Sequence, residues 1–247
     1  MYEGSLNFRE VGGLLTTDGR RRLRRGLLFR SGTPQLMTEQ QARLMIDQTD
    51  VRFVIDLRQE QEAIDEGQGG LAAVPHERIS APLLVDEAVQ GGSAVPIMSD
   101  VDPLVPHYLG YLPSSVDSIL RIFRALADPG TGPTLLHCTA GKDRTGAALM
   151  LVLDAIGIDR QAIIDDYVAG KDEIASIFDI LISLPSYGDR LAALPAEARN
   201  TYPDTAKRYL LALDEKYGGI RNWLHDHGFG APELAAMRET LTEVPPN

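Results

Sequence analysis

LLHCTAGKDRTG, residues 135–146, separates two apolar segments and contains Cys138, the only cysteine of the 247 residues. The apolar residues before it predict a short buried strand, and those after it predict a buried helix. Small residues at 139–141 allow the loop between them to turn backbone N–H groups inward, and the helix that starts near Arg144 adds a positive dipole end. The stretch therefore predicts an anion site of phosphate size at the carboxyl edge of a sheet.

The side chains of this loop indicate what happens to a bound phosphate. The helix N-terminus, Lys142 and Arg144 favour the thiolate form of Cys138, and the thiolate is the nucleophilic form of cysteine. Arg144 can hold two phosphoryl oxygens with its planar guanidinium during an in-line transfer. Thr145 can hydrogen-bond the departing sulfur when water cleaves a phosphocysteine. Cys138 and Arg144 are therefore the predicted catalytic residues.

The loop resembles that of the cysteine-dependent phosphatases, whose pattern is His-Cys-x5-Arg-Ser/Thr, and every fixed position of the pattern is filled here. The resemblance extends over most of the chain, to bacterial protein tyrosine/serine phosphatases of the mycobacterial protein tyrosine phosphatase B type. It is weakest at about residues 86–107. The segments that carry it outside the loop are Asn7-Phe8-Arg9, the sequence Gly26 to Ser31, Asp56-Leu57-Arg58 with Glu62, and Tyr217-Gly218-Gly219.

The alternation of strands and helices predicts an α/β fold with a largely parallel sheet, and the resemblance implies a phosphatase-type sandwich in which helices flank that sheet. We expect residues 1–247 to form a single domain, because this length can bury one large core. The substrate-binding positions indicated by the loop are Thr139, Ala140, Gly141, Lys142, Thr145 and Gly146.

The expected reaction is hydrolysis of phosphotyrosine through a phosphocysteine, with phosphoserine, phosphothreonine and phosphoinositides as further substrates. The alternative is a phosphoinositide or inositol polyphosphate phosphatase, since Lys142 places a second cation beside Arg144 and phosphoinositide phosphatases have similar lysine-rich loops. A solvated loop lysine is the plainer interpretation of Lys142. The non-enzyme alternative is a phosphate-binding pseudophosphatase module, but such modules normally lack the cysteine or the arginine.

Two aspartates are candidates for the general acid that protonates the leaving oxygen. Asp143 lies inside the loop, and a bound phosphate dianion would raise its pKa through like charge. Asp86 lies upstream in Pro82-Leu83-Leu84-Val85-Asp86. We prefer Asp143 and keep Asp86 as the alternative general acid, and Asp143 also suits an N-terminal helix cap.

Three more residues are expected to support the site. Asp56 and Arg58 follow the apolar run that starts at Val51, which predicts a second buried parallel strand ending near the loop. In the resembled family this segment braces the active site, although an ion pair that merely closes the strand is an equal alternative. His137 points to the opposite side of the strand from Cys138, so we interpret it as a buried structural histidine.

Two further segments, residues 67–106 and 172–200, flank the region around the loop in the sequence. Residues 67–106 are rich in Gly and Pro and predict a long surface excursion, followed by a helix from Ser114 to about Ala127. Residues 172–200 hold an apolar stripe that favours core packing. In the resembled phosphatases a helical pair covers the pocket here, so a helical lid at about 172–200 is the second interpretation.

Composition limits the partners. The net charge of −11 argues against a nucleic-acid surface. Five arginines occur between positions 20 and 25. We interpret them as a solvated hairpin, with a positive patch for anionic lipid or a polyphosphorylated substrate as the alternative. The predicted mechanism needs no metal or cofactor, and no histidine pair has metal-ligand spacing. The expected partner is therefore a phosphorylated protein or phosphoinositide substrate.

Nothing in the sequence predicts a membrane span or a signal peptide, since no apolar run approaches 18 residues and Met1-Tyr2-Glu3-Gly4-Ser5 lacks a basic start. One cysteine cannot form an internal disulfide, so the fold does not depend on an oxidising compartment. A cytoplasmic enzyme is the simplest expectation, and secretion without a signal peptide is left open.

Overall fold

The computed structural model describes residues 6–86, 102, 104–184, 187–188 and 200–246. Five of its strands form one sheet in the order β1-β3-β6-β4-β5, in which β1 is antiparallel to β3 and the other neighbours are parallel. The strands are β1 (Leu6–Glu10), β2 (Arg22–Leu23), β3 (Leu28–Gly32), β4 (Phe53–Asp56), β5 (Glu77–Ser80), β6 (Thr134–Cys138) and β7 (Thr242–Glu243).

Helices cover both faces of this sheet. The α-helices within the described residues are α1 (Glu39–Thr49), α2 (Glu60–Glu66), α3 (Leu104–Ser114), α4 (Val116–Ala127), α5 (Asp143–Ile156), α6 (Arg160–Val168), α7 (Lys171–Ile182), α8 (Pro203–Tyr217), α9 (Ile220–Asp226) and α10 (Ala231–Leu241). The α/β fold with a largely parallel sheet is therefore confirmed.

Consecutive residues of the central strands belong to different hydrophobic cores, because successive side chains of a strand point to opposite faces of the sheet. Leu136 belongs to the main core, together with residues of α3 to α6 and α8 to α10. Leu135 belongs to a smaller core on the opposite face, where it packs with Met45 of α1. All five residues of β6 are buried, as expected for a strand with a neighbour on each side and helices on both faces.

The central helix α5 is buried on nearly all sides, from Thr145 to Ile156 except Asp154. Fully burying a leucine or isoleucine side chain stabilises a protein by about 1.5–3 kcal/mol, so the helix that begins at the predicted anion loop is also a major part of the core. Gly157 ends α5 with a φ of 83°, a left-handed conformation that glycine adopts without strain.

One helix was not predicted. Residues 67–106 were expected to run over the surface, yet Leu104–Ser114 forms α3, and the helix expected from Ser114 starts at Val116. Pro106 lies in the first turn of α3, where a missing N–H does no harm. Residues 87–101 and 103 of that segment lie outside the described residues.

The lid predicted at about 172–200 is only partly described. Its first part is α7, whose buried residues Ile174, Ile177, Phe178 and Leu181 form a separate small core with Ala140. The stripe is thus packed, as the first interpretation expected, and it is packed against the anion loop. Residues 185, 186 and 189–199 lie outside the described residues.

The arginine-rich hairpin is joined to the end of the chain. β2 pairs with β7, and ion pairs join Arg21 to Glu239 at 2.8 Å and Arg22 to Glu243 at 2.7 Å. Arg24 lies 3.8 Å from Glu243. These carboxylates neutralise much of the positive charge, which favours the interpretation as a hairpin over that as a positive patch.

Candidate active site

The carboxyl ends of three parallel strands meet at the Cys138 loop, which we define as residues 138–144. Gly32 at the end of β3 pairs with Cys138, and Asp56 at the end of β4 pairs with His137. The helix α5 begins within the loop at Asp143. The topology therefore places a cysteine, a helix N-terminus and three strand ends at one edge of the sheet.

Two glycines let the backbone of the Cys138 loop pack against the end of β3. Gly141 has a φ of +65°, and a Cβ there would lie 2.5 Å from the backbone N of Gly32. A Cβ on Gly32 would lie 2.4 Å from the carbonyl carbon of Ala140. Neither position has room for a side chain, so the shape of the loop depends on glycine at both.

The carbonyl oxygen of Gly141 is held by two buried side chains. Asn7 donates from Nδ2 at 2.9 Å and Arg30 donates from Nη2 at 2.7 Å. Arg30 also donates from Nη1 to Asp166 of α6 at 2.6 Å, and Arg9 donates to the same carboxylate at 3.3 Å. A carbonyl fixed in this way cannot turn toward a bound anion, which leaves the loop suited to accept one.

Arg144 is oriented by a buried carboxylate. Its Nη1 donates to Glu62 Oε2 at 2.6 Å, and its Nη2 donates to Glu62 Oε1 at 3.1 Å and to Thr139 Oγ1 at 2.8 Å. Burial opposes the charged form, but the Cys138 thiolate and Glu62 outweigh it and raise the pKa of Arg144. The guanidinium is thus a fixed, permanently positive group beside Cys138.

Asp143 receives two hydrogen bonds on one oxygen. Tyr108 of α3 donates to Oδ1 at 2.7 Å, and Lys142 Nζ donates to the same atom at 3.1 Å. Burial alone would raise the pKa of Asp143, but Lys142 and Tyr108 outweigh it and lower that pKa. Without bound phosphate the carboxyl is therefore ionised, and a role as acid requires the like charge of the substrate, as the sequence argument assumed.

Lys142 is enclosed by protein. Its side chain is 0% exposed, and its ammonium lies 3.1 Å from Asp143. A buried ammonium requires a partner or an anionic ligand, because desolvation of an isolated charge is expensive. The interpretation of Lys142 as a solvated loop residue is therefore wrong.

The remaining predicted residues lie in the Cys138 loop or directly after it. Cys138 is buried at 2% exposure, and Ala140 packs against α7. The Thr145 hydroxyl is buried and has no hydrogen-bond partner in the described part of the chain. Gly146 leaves room for Tyr167, whose ring would lie 3.0 Å from an added Cβ. The hydroxyl of Thr145 is therefore left unsatisfied by the described residues.

Asp56, Arg58 and His137 form a buried charged cluster behind the loop. Arg58 donates to Asp56 from Nε at 3.0 Å and from Nη2 at 2.8 Å, and Arg78 adds a contact of 2.9 Å. His137 Nε2 lies 3.6 Å from Asp56 Oδ1. Burial, which Asp56 only partly offsets, lowers the pKa of His137 to about 4. The imidazole is therefore neutral at pH 7 and has the structural environment that we expected.

Asp86 lies outside the Cys138 loop. It is exposed, and its backbone N–H donates to Ser114 Oγ at 3.1 Å, at the junction of α3 and α4. Asp143 lies on the loop itself, and this placement favours it over Asp86.

Sequence reasoning missed four side chains that form hydrogen bonds with the loop residues. Tyr108 lies between the predicted surface excursion and the predicted helix, where the sequence assigned no element, and Asn7, Arg30 and Glu62 were noted only as part of the family resemblance. The position of Arg30 directly after the apolar run Leu27-Leu28-Phe29 is the signal that could have identified it, because a buried guanidinium needs dedicated partners. Tyr108 and Tyr111 share a helical face by spacing, but nothing local connects them to residue 143.

The chain is similar to known proteins over most of its length. The family model described as "Tyrosine phosphatase family" matches residues 1–243. The triple specificity protein phosphatase PtpB of Mycobacterium tuberculosis is 26% identical over 96% of this chain and 97% of its own length. The putative tyrosine-protein phosphatase H16_A0669 of Cupriavidus necator is 30% identical over 89% of this chain and 80% of its own.

A solved structure, the core catalytic domain of the PP-IP phosphatase SIW14 from S. cerevisiae with citrate, is 14% identical and covers 80% of this chain and 89% of its own at a TM-score of 0.36. Among the helices of the described residues, none is both long and apolar enough to cross a bilayer.

Proposed function

The chain belongs to the tyrosine phosphatase family, and we propose that it hydrolyses phosphotyrosine through a phosphocysteine at Cys138. The observation that carries this proposal is the position of the cysteine at the end of β6, beside an arginine that Glu62 and Thr139 orient. In this family the reaction is the hydrolysis of phosphoric monoesters. The roles of individual residues below are our proposal.

In the first step the Cys138 thiolate attacks phosphorus, the S–P bond forms and the bond from phosphorus to the tyrosyl oxygen breaks. Arg144 and the N–H groups at the start of α5 stabilise the phosphoryl oxygens through the transfer. Asp143, protonated in the presence of the substrate dianion, gives its proton to the departing oxygen.

In the second step water attacks phosphorus, and the S–P bond breaks to release inorganic phosphate. Asp143, now ionised, takes a proton from that water and returns to its starting state. The buried Thr145 hydroxyl donates a hydrogen bond to the departing sulfur. This role is supported by the absence of any other hydrogen-bond partner for that hydroxyl within the described residues. Both steps balance without a metal or cofactor.

Lys142 supports a second candidate substrate class. The buried ammonium of Lys142 adds a second cation to the loop that contains Arg144, and this favours ligands that carry more negative charge than one phosphomonoester, such as a phosphoinositide headgroup. The relative named as a triple specificity protein phosphatase supports activity on more than one class of phosphoester. We therefore propose phosphotyrosine as the main substrate, with phosphoserine, phosphothreonine and phosphoinositides as further ones.

The test is phosphate release from a phosphotyrosine peptide, a phosphoserine peptide and a soluble phosphoinositide, with chelator present throughout. We expect the phosphotyrosine peptide to be hydrolysed fastest, and Cys138→Ser to abolish release from all three. Lys142→Met should reduce turnover of the phosphoinositide more than that of the peptides. Undiminished turnover by Cys138→Ser would refute the mechanism, and a phosphoinositide rate above the phosphotyrosine rate would make the second candidate the main function.

A further inference from the structure

The tyrosines behind Asp143 form a short chain of hydroxyl groups that the steps above do not use. Tyr108 Oη lies 2.7 Å from Asp143 Oδ1 and 2.9 Å from Tyr167 Oη. A carboxylate can only accept, so the single proton of Tyr108 points to Asp143 and Tyr167 donates to Tyr108. The chain therefore runs from α6 through α3 to the Cys138 loop in one direction.

Both donors of Asp143 contact the same oxygen. Tyr108 and Lys142 donate to Oδ1, and the described residues place no hydrogen bond on Oδ2. A proton on Oδ1 would compete with these two donors, whereas a proton on Oδ2 would not. The arrangement therefore makes the two oxygens of one carboxyl group unequal.

We propose that Tyr108 is a positioning residue for the reaction: its hydroxyl, backed by Tyr167, fixes Oδ1 of Asp143 so that Oδ2 carries the proton given to the leaving oxygen. This inference rests on the proposed role of Asp143 as general acid. It adds a residue from α3 to a reaction otherwise assigned to the Cys138 loop.

The surroundings of Tyr108 keep its hydroxyl in the donor form. The residue is 0% exposed, and burial raises the pKa of Tyr108 well above its ordinary value. Its ring is held edge-on by Tyr167 at 6.4 Å and by Tyr209 at 5.6 Å between ring centroids. A donor fixed on both sides loses little freedom when it orients a carboxyl group, which is the condition for preorganisation.

The ionisable groups that interact with Asp143 come from three directions. Lys142 of the loop lowers the pKa of Asp143, and so do Tyr108 and His107 of α3. Tyr111 of α3 and Tyr167 of α6 also interact with its charge. Of these groups, Tyr108 alone can be changed to phenylalanine with the loss of a direct neutral donor to Asp143.

The experiment compares turnover of phenyl phosphate, whose leaving group needs a proton, with p-nitrophenyl phosphate, whose leaving group needs little. We expect Tyr108→Phe to lower kcat for phenyl phosphate about tenfold more than kcat for p-nitrophenyl phosphate, the loss expected for one hydrogen bond to a charged group. The alkaline limb of the pH profile of kcat for phenyl phosphate should move to higher pH by about one unit, because the pKa of Asp143 rises when its carboxylate loses a hydrogen-bond donor. Tyr167→Phe should show both effects more weakly.

Tyr209→Phe is the matched control, since it is buried against the same ring and its hydroxyl has no hydrogen-bond partner in the described part of the chain. It should leave both substrates and the pH limb unchanged. Equal losses of Tyr108→Phe on the two substrates with an unmoved limb would overturn the inference. If Tyr108→Phe does not fold by circular dichroism, an unchanged substrate ratio and limb in Tyr167→Phe overturn it instead.

Asp143→Asn, measured on the same two substrates, separates this inference from the proposed function. A loss selective for phenyl phosphate supports Asp143 as the acid, and a Tyr108→Phe variant that lacks the selectivity then refutes the positioning role alone. A loss that Asp143→Asn shows equally on both substrates refutes the acid role, and with it the inference.

Discussion

Arg144 shows at the scale of one residue how the site is prepared before substrate binds. Glu62 and Thr139 accept hydrogen bonds from both Nη atoms, so the plane of the guanidinium is set by protein. Such an arginine loses little further freedom on binding phosphate, and its charge faces a region from which water is partly excluded.

Replacing Arg144 by lysine keeps the positive charge but removes the two-pronged geometry. We expect kcat/KM for an aryl phosphate to fall by about 10²–10³, the usual effect of losing one such stabilising group. The matched control is Arg43→Lys, which alters an exposed ion pair on α1 and should leave the rate unchanged. A loss below about tenfold in Arg144→Lys would contradict this role.

His137 makes the stability of the fold depend on pH. Burial lowers the pKa of His137 to about 4, below the value of about 6.5 for an unfolded histidine. Between these values the unfolded chain binds a proton that the folded chain does not. The free energy of unfolding should therefore fall as the pH falls through this window, by up to about 1.4 kcal/mol per pH unit from this group.

Urea unfolding of the wild type and His137→Asn at several pH values between about 6.5 and 5 tests this expectation. The wild type should lose stability on acidification more steeply than the variant. His225→Asn, at an exposed residue, should keep the wild-type slope. Parallel slopes in the wild type and His137→Asn would show that folding does not lower the pKa of His137.

At the scale of elements, the site depends on how the end of β3 meets the Cys138 loop. The sequence predicted the strand and helix on either side of Cys138, because apolar runs and small loop residues are local signals. It could not predict that Gly32 lies against Ala140, since that contact depends on the parallel pairing of two strands more than 100 residues apart. Neither could it predict α3, whose Pro106, Gly110 and Pro113 resemble a loop.

Gly32→Ala should displace the loop, because the new Cβ would lie 2.4 Å from backbone. We expect stability to fall by about 1–3 kcal/mol, as for other overpacked sites, and vanadate to bind at least tenfold more weakly, roughly, because the loop no longer fits the anion. The control is Gly132→Ala, just before the opposite end of β6, where the nearest atom is the Arg52 side chain at 3.5 Å. Equal vanadate affinity in the two variants would contradict the role given to Gly32.

For the whole molecule, we propose that residues 1–247 form one domain. The main core draws residues from Val11 near the start to Leu241 near the end, and β2 pairs with β7 to join the two ends. Trp223 fluorescence and far-ultraviolet circular dichroism should therefore follow a single coincident transition in urea. Two separated transitions would indicate two domains.

The distance between the site residues along the chain explains which of them could be predicted from the sequence. Cys138, Asp143 and Arg144 lie within one short segment, so their proximity follows from local structure. Glu62 and Tyr108 come from α2 and α3, and only tertiary packing brings them to that segment. A glutamate on a short helix and a tyrosine among prolines carry no local mark of function, so spacing rules could not identify them.

The central claim is that Cys138 carries the phosphoryl group during turnover. The most direct measurement is acid quenching in the first turnover of p-nitrophenyl phosphate, followed by mass spectrometry of the peptide that contains Cys138. The account predicts a burst of released nitrophenol and a Cys138 peptide heavier by one phosphoryl group. A burst accompanied by an unmodified Cys138 peptide, or by a phosphoryl group on another residue, would contradict it.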